Sequence, residues 1–234
     1  MLKTGKKILE NKLVKLCFFG DSITEGCFEF NEDFSDTTFK RELGYPYKLQ
    51  ALIKKELNKD VIIINAGKSG NNTVKAMKRF EPEVLSLRPD FCLIMFGSND
   101  VVNIAWKQMD EDTYFTNLKY YFDTLKQNKI EVVFMTPSMM ATRDKGTLVN
   151  TKYQETLVDC VRLQNDGTVD RFFEKVKEFC KKENVPVVDV YSKWKALEKD
   201  GVDIMDLLSN DVNHPTEEMH WLFAQEIYKL MFEE

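Results

Sequence analysis

The sequence predicts an α/β fold, a three-layer α/β/α sandwich in which a five-stranded parallel sheet lies between two layers of helices. Short apolar segments alternate along the chain with longer amphipathic segments. The short segments are almost continuously apolar, as strands are when helices cover both faces of a parallel sheet. Because 43% of the 234 residues are hydrophobic, the chain can bury one sizeable core, and we expect a single domain over residues 1–234.

Five segments have the composition of buried strands and are bounded by Gly, Pro, Asn or charged residues. They are Val14–Phe19, Val61–Ile64, Phe91–Phe96, Glu131–Met135 and Pro186–Val190. Five further segments carry apolar residues at helical spacing. They are Tyr45–Leu57, Thr73–Leu87, Glu111–Gln127, Asp166–Glu183 and Pro215–Phe232. The alternation implies right-handed crossovers and a flavodoxin-like strand order, with insertions over 26–43 and 136–165.

Composition narrows the classes of partner. The net charge of -5 comes from 33 basic and 38 acidic residues in mixed order, so no basic stripe is offered to a nucleic acid. No stretch approaches the roughly 18 apolar residues of a membrane span, and the N-terminus lacks the pattern of a signal peptide. The five cysteines form no C-x-x-C pair, which favours reduced, buried thiols. We expect a cytoplasmic protein that binds neither nucleic acid nor membrane.

Polar segments follow the first three predicted strands. They are Gly20–Thr24, Asn65–Thr73 and Gly97–Asp100. Taken singly, each segment is explained by ordinary turn and capping chemistry. In a parallel sheet, however, all three lie at the edge where ligands bind. Together they supply a hydroxyl, a glycine-rich turn with exposed N–H groups and a carboxamide, which are the nucleophile and the oxyanion donors that acyl transfer needs.

A general base must come from one of two histidines, His214 and His220. Asp211 precedes His214 by three residues in a polar turn before the last helix, so the carboxylate could orient the imidazole. His220 lies within that helix, and a structural or surface-facing role is the simpler interpretation.

Four blocks in this order resemble those of the SGNH hydrolases, also called the GDSL esterase and lipase superfamily. The blocks are GDSIT around Ser22, NAGKSGNNT around Gly70, GSND around Asn99 and DVNHP around His214. The resemblance implies the SGNH hydrolase fold, with Ser22 as nucleophile, His214 as general base and Asp211 as the orienting acid. It also implies an oxyanion hole formed by the backbone N–H groups of Ser22 and Gly70 and the side chain of Asn99. No cofactor or metal is implied.

The same blocks, followed by Trp106 and the segment Met135-Thr136-Pro137, look most like those of intracellular carbohydrate acetylesterases. This resemblance implies a serine esterase that removes small acyl groups, such as acetyl, from carbohydrates. Trp106 could stack on a sugar ring or belong to the core. Arg143 could reach a polar substrate or be a solvated surface charge.

Other functions remain open at this point. A lipase, lysophospholipase or thioesterase of the same superfamily would share the catalytic residues, and a catalytically silent carbohydrate-binding relative would share the cleft. A phosphate-binding module is disfavoured because neither G-x-x-x-x-G-K-[ST] nor G-x-G-x-x-G occurs. Zinc is disfavoured because the histidines are few and the cysteines dispersed. Amphipathic helices do not distinguish a monomer from a homo-oligomer.

Overall fold

The computed structural model describes residues 1–233, and its central feature is a parallel sheet. The strands of the described chain are β1 (Lys15–Gly20), β2 (Cys27–Phe30), β3 (Thr37–Phe39), β4 (Ile62–Gly67), β5 (Phe91–Met95), β6 (Glu131–Met135) and β7 (Val187–Val188). Five of them form the sheet in the order β4-β1-β5-β6-β7, whereas β2 and β3 pair only with each other. Without this ribbon the order is 2-1-3-4-5, which is the flavodoxin-like order. The predicted α/β sandwich is therefore confirmed.

Helices fill the connections between the strands. They are α1 (Lys3–Leu9), α2 (Ser22–Glu25), α3 (Tyr45–Leu57), α4 (Thr73–Glu83), α5 (Ser98–Ala105), α6 (Glu111–Gln127), α7 (Gln154–Asn165), α8 (Thr168–Lys182), α9 (Val190–Lys199) and α10 (Glu217–Phe232). Across residues 1–233, none of these helices has the length and apolar character needed to cross a membrane. All five cysteines are buried free thiols.

Two consecutive aromatic residues of β1 show how the layers are arranged. Successive side chains of a strand point to opposite faces of the sheet. Phe18 packs edge-on against Tyr45 of α3, with ring centroids 5.6 Å apart. Phe19 contacts Phe80 of α4 and Tyr121 of α6, at 5.4 and 5.3 Å. The helix α3 therefore covers one face and α4 and α6 cover the other, which explains why β1 is apolar on both faces.

Two of the predicted elements depart from their predicted bounds for an identifiable local reason. The predicted helix Thr73–Leu87 ends at Glu83 and continues as a short 3-10 turn over Leu85–Leu87; Pro82 lies in its last turn, where it removes a backbone donor. The predicted strand Pro186–Val190 is reduced to two residues, because the side chain of Asp189 caps a helix that begins at Val190 by accepting from Ser192 N.

Both insertions contain regular structure near the edge of the sheet. The first, 26–43, forms the β2–β3 ribbon. The second, 136–165, runs as an irregular segment to residue 153 and ends in α7. Their approach to the strand ends brings residues from outside the predicted blocks to the functional edge.

The carboxyl ends of β4, β1 and β5 lie side by side. Gly20 is paired in register with Gly67 of β4 and with Met95 of β5. A Cβ atom at Gly67 would lie 2.2 Å from the backbone nitrogen of Glu25, so only glycine allows β4 to approach α2 this closely. The three polar segments therefore share one edge, as predicted.

Candidate active site

Ser22 is the first residue of α2, directly after β1 and the capping residue Asp21. Asp21 is buried, and its side chain accepts a hydrogen bond of 3.0 Å from Ile23 N. This cap fixes the turn that presents Ser22. Ser22 itself is buried to about 5% exposure and lines a cavity.

His214 contacts Ser22, and its tautomer follows from its second partner. The imidazole Nε2 lies 3.0 Å from Ser22 Oγ, and Nδ1 lies 2.8 Å from the carbonyl oxygen of Phe28 in β2. A carbonyl only accepts, so Nδ1 carries the proton and Nε2 is free to accept from the serine hydroxyl. Burial lowers the pKa of His214 to about 4, although its bond to Phe28 opposes this shift. The neutral base is therefore favoured at neutral pH.

The turn that carries His214 is organised by Asn210, a residue that the sequence analysis did not single out. Its Oδ1 accepts hydrogen bonds from the backbone nitrogens of Val212, Asn213 and His214, at 3.0, 2.9 and 2.8 Å. Asn commonly closes turns through such bonds to its own following backbone, so its position four residues before His214 was a usable signal.

The prediction that Asp211 orients His214 differs from the structure. Asp211 has a left-handed backbone, with φ of 58°, and its carboxylate faces the second insertion. Its Oδ1 lies 3.0 Å from Lys145 Nζ, and its Oδ2 accepts from Thr147 Oγ1 at 2.9 Å. The carbonyl of Phe28 occupies the position expected for the carboxylate. A backbone acceptor from a distant ribbon leaves no mark in the sequence.

The predicted oxyanion residues meet at the same cavity. Gly70 has a φ of 69°, and no heavy atom lies within 4 Å of the place where a Cβ would stand, so the turn leaves this wall open. Asn99 donates one amide hydrogen to the carbonyl of Asn71 at 2.8 Å, which leaves its second amide hydrogen for a ligand. Gly70 and Asn99 line the cavity together with Ser22 and His214.

The cavity has a volume of about 190 Å³, and its wall combines polar and apolar surface. Within residues 1–233 it is lined by Ser22, Phe30, Asp36, Thr37, Ser69, Gly70, Asn99, Tyr153, Thr156, Asn210, Val212, Asn213 and His214. Phe30 and Tyr153 stack with ring centroids 4.1 Å apart. These two aromatic residues come from the two insertions, which the sequence analysis left unassigned.

Trp106 and Arg143, the two predicted substrate contacts, lie outside this set. The Trp106 indole is held at the surface of α7 by a 2.6 Å hydrogen bond to Asp159. Arg143 forms a two-pronged ion pair with Asp203, using both terminal nitrogens. Each side chain is thus held by another partner, and the structure does not bring either of them into the wall of the cavity beside Ser22.

His220 is buried in α10 and accepts a 3.1 Å hydrogen bond from Tyr45 N through Nδ1. Its ring packs against the ring of Phe28, with centroids 4.9 Å apart. The structural role predicted for His220 is confirmed, because it supports the strand whose carbonyl orients His214.

Two buried carboxyl groups lie beneath the strand ends. Burial raises the pKa of Asp21 to about 7 and that of Asp100 to about 6. Asp100 Oδ1 accepts from both the backbone nitrogen and the hydroxyl of Thr73, at 2.9 and 2.7 Å, and so joins α5 to the start of α4.

A nucleophile, a neutral base and amide donors around a small cavity can together perform acyl transfer.

Comparisons with known proteins agree with this chemistry. The model of the GDSL-like Lipase/Acylhydrolase family matches residues 18–222. An acetylxylan esterase of Geobacillus stearothermophilus is 26% identical over 216 residues, which are 90% of each chain. An uncharacterized lipoprotein of Bacillus subtilis, YqeF, is 30% identical over 122 residues, and this match spans about half of each chain, 50% of this one and 46% of the lipoprotein.

Solved structures share the fold. The acetyl xylan esterase AlAXEase superposes with a TM-score of 0.68 at 22% identity, over 93% of this chain and 99% of that one. A lipase/acylhydrolase from Enterococcus faecalis gives 0.69 at 24% identity, over 94% and 95% of the two chains.

Removal of the nucleophile or the base is expected to remove the activity. Ser22→Ala and His214→Ala should each lower kcat for p-nitrophenyl acetate by about 10⁴-fold or more, because the two groups act as one unit. Ser86→Ala, an exposed serine at the other edge of the sheet, serves as the control. Turnover at the wild-type rate by correctly folded Ser22→Ala would contradict the assignment.

Replacement of Asp211 is expected to have a small effect. Where a carboxylate orients the base, its change to the amide costs about 10⁴-fold in kcat. Here the carbonyl of Phe28 accepts from Nδ1, so Asp211→Asn should change kcat by less than about tenfold. Lys145→Met, which removes the same ion pair, should match it. A large loss in Asp211→Asn alone would show that the carboxylate turns to His214 during catalysis.

The pH profile should report the buried imidazole. Only neutral His214 can accept a proton, and its lowered pKa keeps it neutral down to about pH 4. The acidic limb of kcat/KM should therefore lie near pH 4 and not near 6.5. Asp21→Asn should leave that limb in place, and a limb between pH 6 and 7 in both proteins would contradict the expectation.

Proposed function

Because the chain belongs to the GDSL-like lipase/acylhydrolase family and is a carboxylic ester hydrolase, we propose that it removes acetyl groups from esters of carbohydrates. The full-length similarity to an acetylxylan esterase supports this substrate class. The observation that carries the proposal is the small cavity that the Ser22 and His214 pair lines.

The reaction proceeds in two halves. Ser22 Oγ attacks the acetyl carbonyl while its proton passes to His214 Nε2. The oxyanion that forms accepts hydrogen bonds from the backbone N–H groups of Ser22 and Gly70 and from the free amide hydrogen of Asn99. The imidazolium then gives its proton to the leaving alcohol oxygen, which leaves an acetyl ester on Ser22. Water then attacks the acetyl carbonyl while its proton passes to His214 Nε2. The bond between the acetyl carbon and Ser22 Oγ breaks, His214 returns the proton to Ser22 Oγ, and acetate leaves. Throughout, His214 Nδ1 keeps its hydrogen and donates it in a hydrogen bond to the carbonyl of Phe28.

The size of the cavity favours a short acyl group. Pockets for drug-sized ligands usually measure about 300–1,000 Å³, whereas this one measures about 190 Å³. The Phe30 and Tyr153 pair occupies one side of it. An acetyl group fits such a volume, whereas a fatty acyl chain would have to extend beyond the cavity.

The wall also favours a neutral alcohol with many hydroxyl groups. Thr156 and Asn213 present hydrogen-bonding side chains, and Asp36 adds a carboxylate. A carboxylate accepts from hydroxyl groups and repels anions such as the phosphates of coenzyme A. These features argue for a carbohydrate ester over a thioester of coenzyme A.

A substrate panel tests the proposal. We expect kcat/KM for p-nitrophenyl acetate to exceed that for the octanoate by at least about tenfold, since one methylene in a tight pocket is worth about 1–3 kcal/mol. Acetate release from acetylated xylo-oligosaccharides should follow, and palmitoyl-CoA should be a poor substrate. Ser22→Ala provides the background rate.

Two outcomes would contradict it. A preference for octanoate or for the thioester would identify a lipase or thioesterase of the same family. Absence of hydrolysis, together with absence of Ser22 labelling by a fluorophosphonate probe, would identify a carbohydrate-binding protein without catalysis.

A further inference from the structure

Arg79 is a buried cation that takes no direct part in the proposed reaction. It lies on α4, and its side chain is about 10% exposed. Its guanidinium stacks on the ring of Phe19, 4.7 Å from the centroid. Buried arginines are rare unless they are paired, and the carboxylate that it contacts, that of Glu83, is 47% exposed and lies 3.0 Å away on the outer side. The inner hydrogen bonds of Arg79 must therefore compensate for its burial.

Those inner bonds go to the two strands that end beside Ser22. Nη2 donates to the carbonyl of Gly20 at 2.6 Å, and Nη1 donates to the carbonyl of Ala66 at 2.5 Å. Gly20 is the last residue of β1 and stands two positions before the nucleophile. Ala66 is in β4, immediately before the turn that leads to Gly70. One planar group thus joins the ends of both strands.

A third bond connects Arg79 with the oxyanion amide. Nε donates to Asn71 Oδ1 at 2.8 Å. The carbonyl of the same Asn71 accepts from Asn99 Nδ2 at 2.8 Å. The position of Asn99 therefore depends on Asn71, which in turn is held by Arg79.

We propose that Arg79 is a positioning residue for the oxyanion hole, whose guanidinium holds the segments bearing Ser22, Gly70 and Asn99 in one geometry. Lysine cannot replace it, because an ammonium group lacks the rigid fork that donates in several fixed directions. Oxyanion donors stabilise the transition state more than bound substrate. Loss of Arg79 should consequently lower kcat and leave KM nearly unchanged.

The kinetics of Arg79→Met and Arg79→Lys test the proposal. This readout rests on the ester hydrolysis proposed above. Misplacement of a catalytic group by about 1 Å can cost about 10²-fold. We expect kcat for p-nitrophenyl acetate to fall roughly 10²-fold in both variants, with KM changed less than about threefold. Added guanidinium ion should restore part of the kcat of Arg79→Ala. Arg171→Met, at an exposed arginine bonded only within its own loop and helix, is the control.

Asn71→Ala provides a second test that keeps Arg79 in place and removes only its hydrogen bond to Asn71. It should lower kcat by itself, and the double variant with Arg79→Met should be no slower than Arg79→Met alone, because both changes break the same connection. Additive losses, or wild-type kcat in folded Arg79→Met, would overturn the proposal. If the Arg79 variants do not fold, wild-type kcat in Asn71→Ala overturns it and a selective loss of kcat supports it.

The rate of Ser22 labelling by a fluorophosphonate separates this proposal from the substrate assignment. Labelling also builds negative charge in the oxyanion hole, so it should slow in Arg79→Met even if no ester of the panel is hydrolysed. Failure on every ester with a slowed labelling rate would overturn the proposed function and leave the role of Arg79 standing.

Discussion

The register of the parallel sheet is the constraint on which the rest of the site depends. Because β4, β1 and β5 run in the same direction and end at the same level, three loops that are distant in sequence meet within a few ångströms. The close contact at Gly67 brings β4 against α2, and the guanidinium of Arg79 crosses the two strand ends. The catalytic groups can be short side chains and backbone amides because the sheet has already brought them together. Only the base arrives from elsewhere, on the turn before α10.

Local patterns in the sequence predicted the sheet. Together with the four family blocks they singled out Ser22, Gly70, Asn99 and His214, because each of these residues lies in a segment that follows a strand or precedes a helix. Contacts between distant segments could not be predicted in this way. The acceptor for His214 is a backbone carbonyl in an insertion. Because every residue has a backbone carbonyl, the residue type gives no indication of which one is used. Asp211 has the expected spacing from His214, but its left-handed backbone directs it to Lys145. Trp106 and Arg143 each donate a hydrogen bond to a carboxylate at the surface, that of Asp159 and that of Asp203. Arg79 lies on the buried face of α4, together with Ala76 and Phe80. A cation among the apolar residues of a helix face indicates a buried charge with specific partners.

Burial gives the site opposing responses to pH. His214 and His220 have lowered pKa values, about 4 and about 3, so the unfolded chain binds more protons than the folded one below about pH 6.5, and the stability that they contribute is lost as the pH falls. Asp21 and Asp100 have raised values, about 7 and about 6, so the stability that they contribute is present at low pH and is lost as the pH rises toward 7. The two effects have opposite signs over the acidic range and partly cancel. Arg79 moderates the second effect because its charge lowers the pKa of Asp21.

The hydrogen bond from His214 to the carbonyl of Phe28 has a consequence for how this protein can change over time. A side-chain acid can be lost through a single substitution, whereas a carbonyl is kept whatever residue occupies position 28. The orientation of the base therefore tolerates point mutation at its acceptor and depends instead on the path of the ribbon, which is set by pairing with β3 and by the packing of Phe28 on His220. Insertions and deletions between β2 and β3 are the changes that would reach the imidazole. Variation in that loop should consequently be under tighter selection for length than for composition.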